Sequence, residues 1–298
     1  MRASAIRQMT AASQARRLAA GLFKETVSIW DLSSKAQLAE FKTVLDFGGE
    51  RLALSADGNL CAAASWRSGA SGGVACYHAA SGETIWHRKD IRRTQIIRFS
   101  ATSKTISCGL DEGQLLRLDA RTGETVESIA RVRDTIERSD AGVALFDYLE
   151  RGYVLKGPSE IEIPRTTGTM LDAAFSADLL CLSESAGPVR CFEIANGTER
   201  WSYETAPDSH VLQLHFARFD GNFYGVAWGG GGTNPRVLLR FASKTGKSTE
   251  VRRFYAWEQA FSPCDETLVT SAGEVIDLIN GITLHHLPFP QTDYHGSI

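Results

Sequence analysis

The stretch Glu25–Phe41, ETVSIWDLSSKAQLAEF, decides the reading of this sequence. An alternating apolar run, VSIW, ends in Trp30-Asp31, passes through a short polar turn and resumes as QLAEF. Alternation with period two marks strands buried on one face. A strand–turn–strand hairpin of this kind cannot cover its own apolar face, so the first question is whether it recurs.

It does. Turns leading from one apolar run into the next are centred on Ser13, Ser55, Ser100, Ser139, Ser176, Arg218 and Ser262, at successive spacings of 42, 45, 39, 37, 42 and 44 residues. The third run of each unit reads VSIWDL, VACYHA, LLRLDA, VRCFEI, VLLRFA and EVIDLI. Small-residue turns follow at Ser81, Thr122, Asn196, Thr245 and Asn280, four of them in the form Ser/Thr/Asn-Gly with a polar residue and the fifth as Asn-Gly-Ile. Glycine supplies the positive φ that a tight hairpin demands. Fourth runs then appear as QLAEF, TIWHR, TVESI, ERWSY, TEVRR and TLHHL. In this register the counterparts of Trp30-Asp31 are His78-Ala79, Asp119-Ala120, Glu193-Ile194, Phe241-Ala242 and Leu278-Ile279.

Four strands per unit at a spacing near 40 resemble the WD-repeat β-propeller family, over essentially the whole chain. Only one unit carries the Trp-Asp pair and none the Gly-His pair that often opens such repeats, so the family's buried Asp-His-Ser/Thr-Trp network is not carried over. ASGETIW and ANGTERW are also similar to quinoprotein-type propeller repeats, which implies that Trp86 and Trp201 pack between neighbouring blades. The adjacent cysteines and cofactor set of the quinoprotein dehydrogenases are not apparent. The resemblance implies an all-β fold, a seven-bladed β-propeller of four-stranded antiparallel blades, in a single domain spanning 1–298. Its approximate blades are 1–43, 44–90, 91–132, 133–167, 168–206, 207–253 and 254–298. The unit from Asp134 to Thr167 is the shortest, and Pro158 and Pro164 limit ladder pairing there. Ring closure has two solutions: the tail QTDYHGSI adds a strand to the first blade, or the start SAIRQMT fills that place.

Composition excludes several classes. Lys plus Arg is 32 against 35 Asp plus Glu, for a net charge of −3, which speaks against nucleic acid and anionic membrane as partners. No apolar run approaches the roughly 18 residues of a membrane helix. The first 24 residues hold Arg2, Arg7, Arg16 and Arg17 and no acid, as a transit peptide would, but read better as a first strand and turn. Cys61, Cys76, Cys108, Cys181, Cys191 and Cys264 form no CxxC pair and fall mostly in strands, which predicts buried free thiols and a cytoplasmic, reducing setting.

No catalytic motif, metal set or cofactor motif emerges. GxSxG, HExxH, the Walker loop and the EF-hand loop are absent. WGGGGTNP at Trp228 is glycine-rich but lacks the following Lys and helix of a phosphate cradle, and reads as a loop. His285 and His286 are adjacent in a strand and point to opposite faces, against joint ligation. The loops joining strands two and three, and those joining consecutive blades, would instead place Trp66, Arg67, Arg92, Arg93, Trp228, Arg253, Tyr255 and Trp257 on one surface. Trp, Tyr and Arg dominate protein interfaces, so the expected function is non-catalytic binding of another protein as adaptor, assembly factor or inhibitor. Two rivals stand beside it: a lactonase-like hydrolase with a central-channel site, for which Asp172 and His215 are the candidates, and a small-ligand sensor.

Overall fold

The computed structural model of the chain describes residues 6–22, 25–45, 51–65, 72–137, 143–157, 159–166, 168–185, 187–206, 209–229, 235–256, 258–262 and 266–289. Among them lie 28 strands and no helix. The strands form seven four-stranded antiparallel sheets, each a meander of four consecutive strands. The fold is an all-β, seven-bladed propeller.

Two compact units divide the chain: Met1–Ala130 with Trp257–Ile276 and Thr283–Ile298, and Arg131–Ala256 with Asp277–Ile282. The first unit contains sheet one, with β1 Ile6–Ala11, β2 Arg17–Leu22, β3 Thr26–Asp31 and β4 Gln37–Lys42. Sheet two follows with β5 Arg51–Leu54, β6 Leu60–Ala64, β7 Val74–His78 and β8 Thr84–Arg88. Sheet three comprises β9 Thr94–Phe99, β10 Thr105–Leu110, β11 Gln114–Asp119 and β12 Thr125–Ala130. In the second unit, sheet four has β13 Val132–Glu137, β14 Ala144–Tyr148, β15 Gly152–Lys156 and β16 Glu160–Ile163. Sheet five has β17 Met170–Phe175, β18 Leu179–Glu184, β19 Val189–Glu193 and β20 Glu199–Tyr203. Sheet six has β21 Ser209–Ala217, β22 Asn222–Gly229, β23 Arg236–Phe241 and β24 Ser248–Phe254. Sheet seven has β25 Gln259–Ser262, β26 Thr267–Thr270, β27 Glu274–Asp277 and β28 Thr283–His286, with its last turn, Asp277–Ile282, in the second unit.

The described part of the Arg-rich start, 6–22, forms a pair of strands, and Ile6–Ala11 supplies the first strand of sheet one. The tail 291–298 lies outside the described residues. Sheet four is a four-stranded ladder with one register shift, between Val132 and Asp134; Pro164 lies just beyond its last strand and Pro158 outside the described residues.

Within each unit, neighbouring sheets bury their faces against one another. In the first unit Ile6, Met9, Leu18 and Trp30 of sheet one pack on Ala260, Val269 and Val275 of sheet seven. Phe289 meets Trp30 edge-on, ring centroids 5.2 Å apart. The opposite face of sheet one, with Ala19, Val27 and Ile29, packs on Leu52, Leu54 and Cys61 of sheet two. Second strands read almost wholly apolar, as LCAAA does, because both their faces are covered.

One contact recurs between consecutive sheets. Trp86 on β8 lies under the turn between β11 and β12, where its Nε1 donates to the Ala120 carbonyl at 3.0 Å. A Cβ at Gly123 in that turn would fall 2.6 Å from the indole, and Gly123 also has φ +73°. Trp201 on β20 repeats this under the turn of sheet six, donating to the Ser243 carbonyl at 2.8 Å beneath Gly246. Phe41 under Gly82, Ile161 under Gly197 and Val251 under Gly281 complete the series. The interblade packing expected of Trp86 and Trp201 thus has a physical cause. Only glycine leaves room for the ring while taking the left-handed conformation.

The register of these turns corrects the sequence reading. The backbone N–H of Asp31 bonds to Ala36, that of His78 to Glu83, Asp119 to Glu124, Glu193 to Thr198, Ala242 to Lys247 and Asp277 to Ile282. Asp31 thus corresponds to His78, Asp119, Glu193, Ala242 and Asp277, one or two residues from most of the pairs predicted. The miscount arose because sheet one has Lys35, at φ +62°, where the others have glycine. The aspartate caps the turn: Asp31 Oδ1 accepts the N–H groups of Ser33 and Ser34 at 2.9 and 2.7 Å, as Asp119 does those of Arg121 and Thr122, both at 2.9 Å. Those donors hold both carboxyls below the usual carboxylate range, so each cap is complete at neutral pH and is lost as acid protonates it.

The second unit contains a buried polar joint between sheets four and five. Glu184, fully buried at the end of β18, accepts from Tyr153 Oη at 2.7 Å, from the N–H of Thr166 at 3.0 Å, from Thr166 Oγ1, and from Arg190 Nη2 at 3.4 Å. The same Arg190 nitrogen donates to the Pro164 carbonyl at 2.7 Å. Beside it, Arg165 pairs with the buried Asp147 and stacks over Tyr153 at 5.4 Å. Burial pushes the Asp147 carboxyl above its ordinary range, and Arg165 pulls it part of the way back.

Chemical denaturation tests both devices. Trp86→Ala is expected to cost about 3–5 kcal/mol, whereas Lys35→Gly should stabilise by up to about 1 kcal/mol by relieving a left-handed lysine. Glu184→Gln, which leaves the buried Arg190 with only the half-exposed Glu199 at 3.8 Å as its charge partner, should cost about 3 kcal/mol; Arg151→Ala, which removes exposed pairs with Glu160 and Glu162 and a contact over the Tyr148 ring, should cost under about 1 kcal/mol.

Candidate interaction surface

Sheet six has the longest first and second strands, of nine and eight residues. At one end of this sheet the ladder aligns His210 with Trp228, Trp228 with Arg236 and Arg236 with Phe254. The row is set by backbone pairing, so these side chains are held at strand ends rather than on a free loop. Trp228 is half-buried, and the His210 ring lies 6.3 Å from it at 63°. Phe254 turns inward and is buried, so strand alternation sends Arg253 and Tyr255 outward. Tyr255 is 71% exposed.

A bulge in β24 shapes this end further. Leu238 pairs with Arg252 but Leu239 with Glu250, so Val251 is the extra residue. The bulge brings Glu250 and Arg253 together in a two-pronged pair, Nε and Nη2 each 2.8 Å from a carboxylate oxygen. Arg253 holds the Glu250 carboxyl below its usual range. Arg252 is directed elsewhere, its Nη1 donating to the Gly281 carbonyl at 2.9 Å.

Of the eight residues expected on one surface, Trp228, Arg253 and Tyr255 lie at the same end of sheet six, with Arg253 and Tyr255 turned to the face opposite Phe254. Arg92 and Arg93 belong to the first unit, exposed on the connection between β8 and β9, which Ile91 anchors by burial. Arg93 has φ +54° and faces Asp111 at 3.7 Å. Trp66, Arg67 and Trp257 lie outside the described residues, as does most of the glycine run after Trp228. Sequence reasoning passed over His210 and Arg236 as members of the row; their signal was pairing distance from Trp228, which needs the turn lengths to be known.

The residues nominated for a hydrolytic site are placed differently. Asp172 on β17 accepts the backbone N–H of Leu214 on β21 at 2.9 Å, linking the first strands of sheets five and six. Gln8 does the same for Leu52 in the first unit, at 2.8 Å. Asp172 therefore serves as a rung between sheets. His215 is half-buried on β21. Among the described residues no three His, Cys, Asp or Glu side chains are placed to hold a metal ion. Cys61, Cys76, Cys108, Cys181 and Cys191 are buried and free; burial pushes the Cys76, Cys108 and Cys191 thiols up to about 12, far from a reactive thiolate. Cys264 lies outside the described residues.

No protein-family model and no curated protein matches the sequence. Among solved structures, the chain is similar to U3-55K, with 10% identity and a TM-score of 0.69 over 96% of this chain and 90% of that one. The RRP9 WD40 repeats match at 10% identity and a TM-score of 0.70, over 97% and 92%. A chain of the mitotic checkpoint complex matches at 16% identity and a TM-score of 0.69, over 89% and 86%. In fold, the chain is similar to these structures and is itself a seven-bladed β-propeller.

Proposed function

We propose that this chain is a non-catalytic interaction propeller, an adaptor, assembly factor or inhibitor that binds another protein through the strand ends of sheet six. The observation that carries the reading is the ordered row ending in Trp228 and Arg236, flanked by the outward Arg253 and the 71% exposed Tyr255. Aromatic and guanidinium groups held by strand pairing bury much area with little further loss of conformational freedom. Solved neighbours of this fold include a chain of a multiprotein assembly, the mitotic checkpoint complex. The use of Asp172 as a rung between sheets supports the non-catalytic reading over a hydrolytic site. Five buried free thiols suit a reducing compartment, and we place the protein in the cytoplasm.

Affinity capture of native partners, followed by titration of the recovered partner against Trp228→Ala and Tyr255→Ala, tests the reading. At least one substitution should weaken binding by more than about 1 kcal/mol while the thermal transition is retained. A partner that binds both variants as it binds the parent chain would show that another surface does the work.

A further inference from the structure

Charge is distributed unevenly along this chain. Between 209 and 256, the span of sheet six, there are seven Lys and Arg against two Asp and Glu, in a protein whose net charge is −3. The neighbouring spans are acidic: 170–203 holds two basic and five acidic residues, and 259–286 holds four acidic and no basic ones. Sheet six is thus a basic stretch between two acidic ones along the sequence. Its charges fall at two ends. Arg236, Arg252 and Arg253 lie toward the Trp228 end, and Arg218, Arg240, Lys244 and Lys247 toward the other.

Of the two acids in the span, Asp220 sits in the turn between β21 and β22, where it accepts from Asn222 and Tyr224. Glu250 is engaged by Nε and Nη2 of Arg253. That pair fixes the guanidinium plane on an exposed strand end and leaves its Nη1 edge turned away from Glu250. A second carboxylate approaching this edge meets a donor already oriented, with Tyr255 beside it.

We infer that the end of sheet six bearing Trp228, Arg236, Arg253 and Tyr255 receives a short acidic protein segment carrying aromatic or other apolar side chains. The inference rests on the interaction reading above and names the partner's chemistry. Arginine meets carboxylate by two-pronged hydrogen bonding, and the exposed tyrosine near Arg253 and the half-buried tryptophan paired with Arg236 offer apolar area at the same strand ends. The confinement of the basic surplus to one sheet favours a short segment over a nucleic acid. A polyanion makes its affinity by neutralising many phosphates in succession, and the acidic span of the adjoining sheet five would repel its continuation.

The test uses the full chain and three fluorescein-labelled probes, followed by anisotropy. The first is the peptide Asp-Glu-Phe-Asp-Glu-Phe-Glu, the second the same peptide with lysine in place of each acid, the third a single-stranded oligouridylate of similar length. The acidic peptide should bind and the basic one should not. Arg253→Glu should weaken the acidic peptide at least about tenfold, and raising NaCl from about 50 to about 300 mM should weaken it further. Tyr255→Ala should weaken it at least about fivefold, and Lys244→Glu, at the other end of the sheet, should change it less than about twofold. No binding of the acidic peptide, equal loss with Lys244→Glu, or tighter binding of the oligouridylate would overturn the inference. The captured native partner separates this from the broader reading. A partner weakened by Tyr255→Ala but indifferent to Arg253→Glu and to salt would keep the surface and refute its acidic occupant; one indifferent to all three would refute both.

Discussion

The structure depends on a side chain from the fourth strand of one sheet lying beneath the glycine turn of the next. A four-stranded sheet has two apolar faces and cannot cover either. Covering them by stacking fixes the faces but not the sliding of one sheet along another. The indole of Trp201, with its Nε1 on the Ser243 carbonyl and its ring against Gly246, sets that position by shape and by a directed bond together. Trp86 does so one unit earlier with Ala120 and Gly123. Phe41, Ile161 and Val251 provide the shape without the bond. Positive φ and close approach coincide at these turns, so two separate requirements select glycine at one position.

Where apolar stacking is supplemented, the chain uses charge. The joint of sheets four and five spends a buried glutamate, two arginines and a tyrosine on positions that could have been apolar. Buried ion pairs add little net stability against well-packed hydrophobes, but they make one relative placement of the partners far better than its neighbours. The connection Pro164–Thr166 is part of this network through its carbonyl, N–H and hydroxyl groups, so the route of the chain from sheet four into sheet five is specified. The neighbouring sheet six inherits an ordered first strand through Asp172 and Leu214. Its own strand pairing then presents Trp228 and Arg236 side by side.

Much of this was legible in the sequence. The spacing of the turns centred on Ser and on Arg218 pointed to seven units, and the resemblance of the Gly turns with a later tryptophan to quinoprotein-type repeats implied Trp86 and Trp201 between sheets. The register of the Trp-Asp pair was misread because Lys35 adopts the conformation that glycine marks elsewhere, and a lysine carries no signal of positive φ. The polar joint was hidden for a different reason. Glu184 ends the apolar run LLCLSE and Arg190 interrupts VRCFE, but a charged residue near a strand end reads as solvated unless its partners are known, and Tyr153 is 31 residues away. The basic surplus of sheet six was countable from the sequence; the whole-chain charge concealed it, since acidic neighbours cancel it. For the candidate surface, Trp228, Arg253 and Tyr255 were legible as loop-end aromatics and arginines, whereas the bulge that locks Arg253 onto Glu250 was not.

A double-mutant cycle on Trp201 and Gly246 measures the seat between sheets most directly. Trp201→Ala, Gly246→Ala and the combined variant are compared by equilibrium unfolding. If the indole fills the space that a Cβ would enter, removing it relieves the clash, and the combined cost should fall short of the summed single costs by more than about 1 kcal/mol. Additive costs would mean that the ring and the turn do not meet, and the packing described here would be wrong at its foundation.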